Sequence, residues 1–287
     1  MPGHAKKISR YRKRFGQVFL QDPMVVDTIL QSLNLKPLES VLEIGPGRGA
    51  LTHGLAQRGN PLYAIEIEAG YVAALQQRFA MLPHVHIIQA DARRYDYRQL
   101  PAPLVVVANL PYSMGMPILR HLFAFRQRLS RLTIMLQQEV AARLLASPGT
   151  SAYSAVSVFF QYYAAIRHEI AVSRYAFSPV PSVDSTVLSL EPYTTLPWVA
   201  CDEQFFLNMV KIAFMHRRKT LRSNLLNTSS HALTSIVLDA LFASLGLATT
   251  IRPQDVAVSQ FVQLAALLQG LAARRNPPCR AKLQESS

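Results

Sequence analysis

Between residues 41 and 137 short apolar runs alternate with segments of helical periodicity, and this alternation constrains the fold more than any other feature. The runs at 41–44, 62–66, 85–89, 104–108 and 132–137 read as strands, and 49–58, 69–80 and 116–127 read as helices. Strands linked through helices need crossover connections, which build an open, mostly parallel sheet with helices on both faces. Such sheets bind ligands beyond the C-terminal ends of their strands, so the residues there are the functional candidates. Val156–Tyr163, Arg167–Ser173 and Thr186–Leu190 follow without long helices between them, and the expectation is three closing antiparallel strands.

Around this α/β core the composition changes twice. Residues 1–21 form a basic arm carrying Lys6, Lys7, Arg10, Arg12, Lys13 and Arg14 before the first acid, Asp22. Asp22-Pro23 then reads as a helix N-cap with proline in the first turn, ahead of Val25, Val26, Ile29, Leu30 and Leu33 at helical spacing. Beyond Glu191-Pro192 the pattern is amphipathic helix with few strand signals. The chain therefore divides into the arm, an α/β domain at 22–192, a small all-helical domain at 193–272, and a tail at 273–287 whose composition points to disorder.

The first strand runs into Gly45-Pro46-Gly47-Arg48-Gly49, where glycines let backbone N–H groups approach a ligand closely. Glu66, at the end of the next strand, suits ribose hydroxyls. Asp91, in Gln89-Ala90-Asp91-Ala92 after the third, suits the exocyclic amine of an adenine, because a carboxylate accepts what that amine donates. With Glu43 they put three acids near successive strand ends. Gly45, Gly47 and Ala50 also fit a loose dinucleotide fingerprint, so a nicotinamide cofactor stays open at this point, although no catalytic His or Lys constellation accompanies it.

Asn109-Leu110-Pro111-Tyr112 follows the buried run Leu104–Val107 and falls at a strand end beside that loop. An amide and an aromatic ring there suit a flat base held next to a nucleotide-like cofactor. Phe177, ahead of Pro179 and Pro181, is a candidate for the opposite face of such a base.

Thirty Lys and Arg against seventeen Asp and Glu leave a formal net charge of +13. The excess concentrates in the arm and in the acid-free reach from Gln204 to Leu238, which carries Arg217, Arg218, Lys219 and Arg222 near the end of an apolar-striped helix. Such blocks attract a polyanion, and nucleic acid phosphate is the natural one. No run approaches the roughly eighteen apolar residues of a membrane span, and no apolar signal segment follows the basic N-terminus. Cys201 and Cys279 are far apart and outside any CxxC pair, so free thiols in a reducing, cytoplasmic setting are expected. His84 and His86 lack further ligands at metal-binding spacing, and no metal is expected.

Taken together these segments resemble the bacterial ribosomal RNA adenine dimethyltransferases, the kasugamycin-resistance type among them. The resemblance is carried in order by Arg12–Gln17 with Phe19-Leu20, Leu42–Gly47, Ile65–Glu68, Asp91-Ala92, Asn109–Tyr112, Phe177–Ser185 and His216–Leu225. It implies a Rossmann-like S-adenosylmethionine-dependent sheet whose cofactor contacts are Leu20, Glu43, Gly45, Gly47, Glu66, Asp91, Ala92 and Asn109. It also implies dimethylation of N6 on two adjacent adenines in the 3′-terminal hairpin of 16S small-subunit rRNA. Asn109, Leu110, Tyr112 and Phe177 would serve the target base, and Arg12, Lys13, Arg14, Arg217, Arg218, Lys219 and Arg222 would bind RNA in an assembling subunit. Neither a membrane nor an obligate protein partner is implied, and a monomer is expected.

Three positions depart from the family pattern. Val18 stands where Asn or His is usual, Gln138 where Lys is common, and Ser154 where Gly is usual. The first implies weaker cofactor affinity. The alternatives are a large-subunit rRNA or DNA adenine N6-methyltransferase, or a catalytically weak ribosome-assembly factor. The segment from Arg217 to Arg222 and the helical C-terminal domain favour the small-subunit enzyme.

Overall fold

The computed structural model describes residues 18–228 and 234–275. Within the first 194 residues the order is β1 (Phe19–Leu20), α1 (Pro23–Ser32), β2 (Ser40–Ile44), α2 (Ala50–Ala56), β3 (Leu62–Glu66), α3 (Ala69–Arg78), β4 (Val85–Gln89), β5 (Leu104–Asn109), α4 (Gly115–Phe123), β6 (Leu129–Gln137), α5 (Gln138–Leu145), α6 (Ala155–Tyr163), β7 (Ala164–Val172), β8 (Phe177–Ser178) and β9 (Ser185–Pro192). Seven strands form one sheet in the order β4-β3-β2-β5-β6-β9-β7. β2 to β6 are mutually parallel, and β9 runs antiparallel to both β6 and β7. Leu104 to Ala108 of the central β5 are all buried, as expected of a strand covered on both faces.

Local chemistry explains the element starts. The Asp22 carboxylate accepts the N–H groups of Met24 at 2.9 Å and Val25 at 3.4 Å, so it caps α1 while Pro23 fills a position needing no donor. Ile29, Leu30 and Leu33 then enter the apolar cluster on one face of the sheet. The connection to β2 is fastened from β6, where the Arg131 guanidinium donates to the carbonyls of Leu33 and Asn34 and to both oxygens of Glu39. That pairing holds the Glu39 carboxyl down at about 2.

The chain forms two compact units. Unit 1, the sheet and its helices, spans the described residues up to Leu145 and again Ala164–Thr194; unit 2 takes Ala146–Tyr163 and the described residues from Thr195. In unit 2, α6 is joined by α7 (Glu203–Ala213), α8 (Leu221–Thr228), α9 (Ser235–Ser244) and α10 (Val258–Arg275). Its interior holds Val158, Phe160 and Tyr162 of α6 with Phe206, Phe242 and Phe261. Asn224 is buried and donates to the carbonyls of Ala213 at 2.7 Å and His216 at 3.1 Å, closing the end of α7.

Two expectations change here. Val156–Tyr163 is not a strand: it lies in α6, and β7 and β9 alone complete the sheet antiparallel. A short apolar, aromatic run buried on most sides carries no period that separates helix from strand, and Ser157 at the helix start accepts the Ser154 N–H at 2.9 Å. The helical unit is accordingly not the continuous stretch 193–272, because it includes α6, and α10 continues to Arg275. The arm from 1 to 17 and the tail from 276 lie outside the described residues.

Candidate active site

The glycine loop takes its shape from left-handed backbone positions that favour glycine. Gly47 has φ +55° and Gly49 φ +87°, and a Cβ on Gly47 would stand 3.2 Å from the Phe19 ring. β1 is thus laid against the loop. Arg48 places its guanidinium carbon 4.4 Å from the centre of the same Phe19 ring, and Tyr71 meets the ring edge-on at 5.7 Å.

From the end of β3, Glu66 closes the loop. Its carboxylate accepts the N–H groups of Gly47 at 3.0 Å, Ile67 at 2.8 Å and Glu68 at 2.9 Å. Burial pushes the carboxyl up from its ordinary value, against the pull of those three donors. Glu43, one strand over, is buried as deeply, and its Oε2 has no hydrogen-bond partner in the described structure. Desolvation raises it to about 8, with Thr52 opposing and the Glu66 charge adding. Burial thus favours the neutral form of Glu43, one oxygen of which is unsatisfied among the described residues.

Asp91, beyond β4, is in a different state. The Arg93 guanidinium grips it through Nη2–Oδ2 at 2.5 Å and Nε–Oδ1 at 2.9 Å, and the Arg93 N–H adds a further bond to Oδ1 at 2.9 Å. This contact holds the Asp91 carboxyl below its usual range. Arg93 was not singled out in the sequence, although a cation two residues from an acid was the available signal. Arg93 also reaches the Met114 sulfur at 3.2 Å, so it spans the edge between β4 and the turn after β5.

Asn109 ends β5, half-buried; a Cβ on Gly45 would stand 4.0 Å from its carbonyl oxygen. The Leu110 side chain is buried and its N–H donates to Met135 at 3.3 Å, while the Pro111 carbonyl accepts from Met114 and Gly115 and begins α4. Tyr112 is half-buried and shares a hydrogen bond of 2.9 Å with Ser185 Oγ at the start of β9. Burial pushes the Tyr112 hydroxyl up.

A cavity of about 410 Å³ opens at this strand-end edge, within the range of small-molecule sites. Every residue expected to contact the cofactor lies around it: Leu20, Glu43, Gly45, Gly47, Glu66, Asp91, Ala92 and Asn109. Leu110 and Val18 also line it, as do Arg93, His53 and Arg78, which the sequence reading did not single out. Tyr112 and Phe177 are not on its wall. Phe177 is only 2% exposed, pairs with Leu20 across the β1–β8 ladder and packs into the core cluster in this conformation. Contact of that ring with a base would require the β1–β8 segment to shift.

The basic residues fall into three states. Arg12, Lys13 and Arg14 lie outside the described residues. Arg217, Arg218 and Lys219 are exposed on the turn between α7 and α8, shortly after the end of the apolar-striped α7, and the Arg217 guanidinium donates to the Ser151 carbonyl. Arg222, in α8, forms a two-point ion pair with Asp239 of α9 at 2.5 and 3.0 Å, so its charge is already matched within the protein. His84 bonds the Ala56 carbonyl and His86 stacks on Tyr63.

A family model described as ribosomal RNA adenine dimethylase matches residues 8–269. Ribosomal RNA small subunit methyltransferase A of Pseudomonas syringae pv. tomato is 39% identical over 263 residues, covering 90% of this chain and 95% of its own. The protein of the same name from Pseudomonas putida is 39% identical over 259 residues, 89% of this chain and 94% of its own. Among solved structures, a dimethyladenosine transferase from Plasmodium falciparum superposes with a TM-score of 0.75 at 23% identity, covering 88% of this chain and 98% of that one. A 23S rRNA methyltransferase, ErmE, gives 0.66 at 22%, covering 88% and 99%; both likenesses concern the fold. With a family match over most of its length and an α/β sheet carrying this site, the chain belongs to the ribosomal RNA adenine dimethylase family of S-adenosylmethionine-dependent methyltransferases.

Proposed function

We propose that this protein dimethylates N6 of two adjacent adenines in the 3′-terminal hairpin of 16S rRNA during assembly of the small ribosomal subunit. The observation that carries the choice of substrate is the 39% identity, over nearly the full length of both chains, to relatives named for the small-subunit rRNA.

The residues around the cavity fit S-adenosylmethionine. Glu66 offers a carboxylate already oriented by three N–H groups, suited to ribose hydroxyls. Glu43 offers a buried, unsatisfied oxygen suited to the amino group at the methionine end. The Gly45–Gly47 backbone leaves room that side chains would fill, and Asp91 and Ala92 would border the adenine ring. When bound, the cofactor supplies an electrophilic methyl group on a sulfonium.

What the protein must add is a nucleophile, because the lone pair of an aromatic amine is conjugated into its ring. In this reading the Asn109 side-chain oxygen and the Leu110 carbonyl accept the two N6 hydrogens, turning the lone pair toward the methyl group and stabilising the positive charge that develops. Pro111 fixes the turn carrying both acceptors. Tyr112, anchored through its hydroxyl to Ser185, would stack on the base. Phe177 takes part only if the β1–β8 segment moves.

The test is methyl transfer from labelled S-adenosylmethionine to immature small subunits lacking the modification, with products mapped by mass. Dimethyladenosine at two adjacent positions, reduced at least a hundred-fold in Asn109→Ala, is expected from the loss of one positioned acceptor. Tight particle binding without transfer would overturn the enzymatic role in favour of an assembly factor.

A further inference from the structure

Arg174 and Tyr175 form a turn between β7 and β8 to which the proposed function gives no task. Tyr175 is 74% exposed. The Arg174 guanidinium carbon lies 5.2 Å from the centre of its ring, and Nη2 donates to the Tyr175 hydroxyl at 3.4 Å. A cation thus covers part of a large aromatic ring while most of the ring remains open to water.

The turn is tied to the base-gripping motif. The Arg174 N–H donates to Asp184 Oδ1 at 2.9 Å, and the Tyr175 N–H donates to Ser173 Oγ at 3.3 Å. The Asp184 carbonyl accepts from Gln138 at 3.0 Å, and the next residue, Ser185, holds the Tyr112 hydroxyl at 2.9 Å. Tyr175 and Tyr112 therefore share one frame, the Asp184-Ser185 corner. Val172 pairs with Ser185, and Ser185 with Gln137 at the end of β6, so the turn stands at the same strand-end edge as Asn109. Three strand spacings, about 15 Å, separate β7 from β5 across the sheet. A turn at the end of β7 is therefore within reach of nucleotides flanking a base held at Asn109.

We propose that Arg174 and Tyr175 form a nucleobase-stacking site for single-stranded RNA beside the target adenine. A flanking base lies on the open part of the Tyr175 ring, and Arg174 strengthens the stack from the other side while its charge attracts the adjoining phosphate. The guanidinium over the ring and the hydroxyl to which it donates keep the patch polar, which suits an RNA strand and not an apolar protein groove. The inference rests on the reading of the protein as an RNA adenine methyltransferase, and it assigns a substrate contact outside the cavity.

Steady-state methyl transfer to immature small subunits tests it. Tyr175→Ala is expected to raise KM about ten-fold, as for loss of one stacked base, with kcat little changed. Tyr175→Phe keeps the ring and is expected to keep the unaltered KM. S-adenosylmethionine binding to each variant, followed by calorimetry, reports whether the cavity is intact. An unchanged KM in Tyr175→Ala, with the unaltered protein active, overturns the stacking site and leaves the function standing, and so does an equal KM rise in Tyr175→Phe. Absence of transfer by the unaltered protein overturns the functional reading and this site with it.

Discussion

Glu43 is the residue whose protonation the fold changes most usefully for experiment. The unfolded chain releases its proton near 4.5, whereas the folded protein retains it to about 8 because the carboxyl is desolvated beside Glu66. Between those values the folded state binds more protons than the unfolded one. The stability contribution is whole below the lower value and is lost as pH rises through the upper, at no more than about 1.4 kcal/mol per pH unit. Melting temperature measured across that window is expected to fall with pH in the unaltered protein and to stay flatter in Glu43→Gln; identical slopes would show that Glu43 is charged in the folded state. At this scale the sequence was informative where topology supplied the position, since Glu43, Glu66, Asp91 and Asn109 all mark strand ends. It was silent on Arg93 gripping Asp91, on Arg222 being matched by Asp239 and on Phe177 being enclosed, because each depends on which side chains the folded chain brings together.

Among the elements, the glycine loop and α2 carry the sharpest requirement. Gly49 has φ +87°, and a Cβ there would stand 2.9 Å from a methyl of the buried Leu75. Gly49→Ala is expected to cost about 1–2 kcal/mol from the left-handed backbone, with a further cost if Leu75 cannot shift, and to weaken S-adenosylmethionine binding. Denaturant unfolding and calorimetry would measure the two losses, and a wild-type midpoint would refute the strain. The strands β2 to β5 were legible because each is a short apolar run bounded by glycine, proline or acid. α6 was not: its eight-residue run of aromatic and small side chains is apolar on nearly every side, and only the helices of unit 2 settle its conformation. α5 was missed for a related reason, since it follows β6 directly at Gln138 with no turn residue between them.

Over the whole molecule, charge and chain path matter most. Arg218 and Lys219 are exposed on the α7–α8 turn of unit 2, where they are expected to neutralise RNA phosphates. Replacing both by Ala should weaken subunit binding and lower the slope of log affinity against log salt by about 1–2, read by filter binding at several salt concentrations; an unchanged slope would place the RNA path elsewhere. The basic composition was legible at once, but the division of the chain was not, because unit 2 borrows residues 146–163 from the middle of the sheet domain. A fragment ending at residue 192 would carry α6 stripped of the helices that bury Val158, Phe160 and Tyr162. The β1–β8 ladder has a consequence of another kind. It fastens Phe19 and Leu20, which line the cavity, to Phe177 and Ser178 near the end of unit 1. During synthesis the glycine loop and both buried glutamates emerge early, yet the strand beside them finds its mate only after Ser178 has left the exit tunnel. A half-made chain therefore holds a cofactor pocket with one wall still unpaired, and binding competence is expected only late in translation.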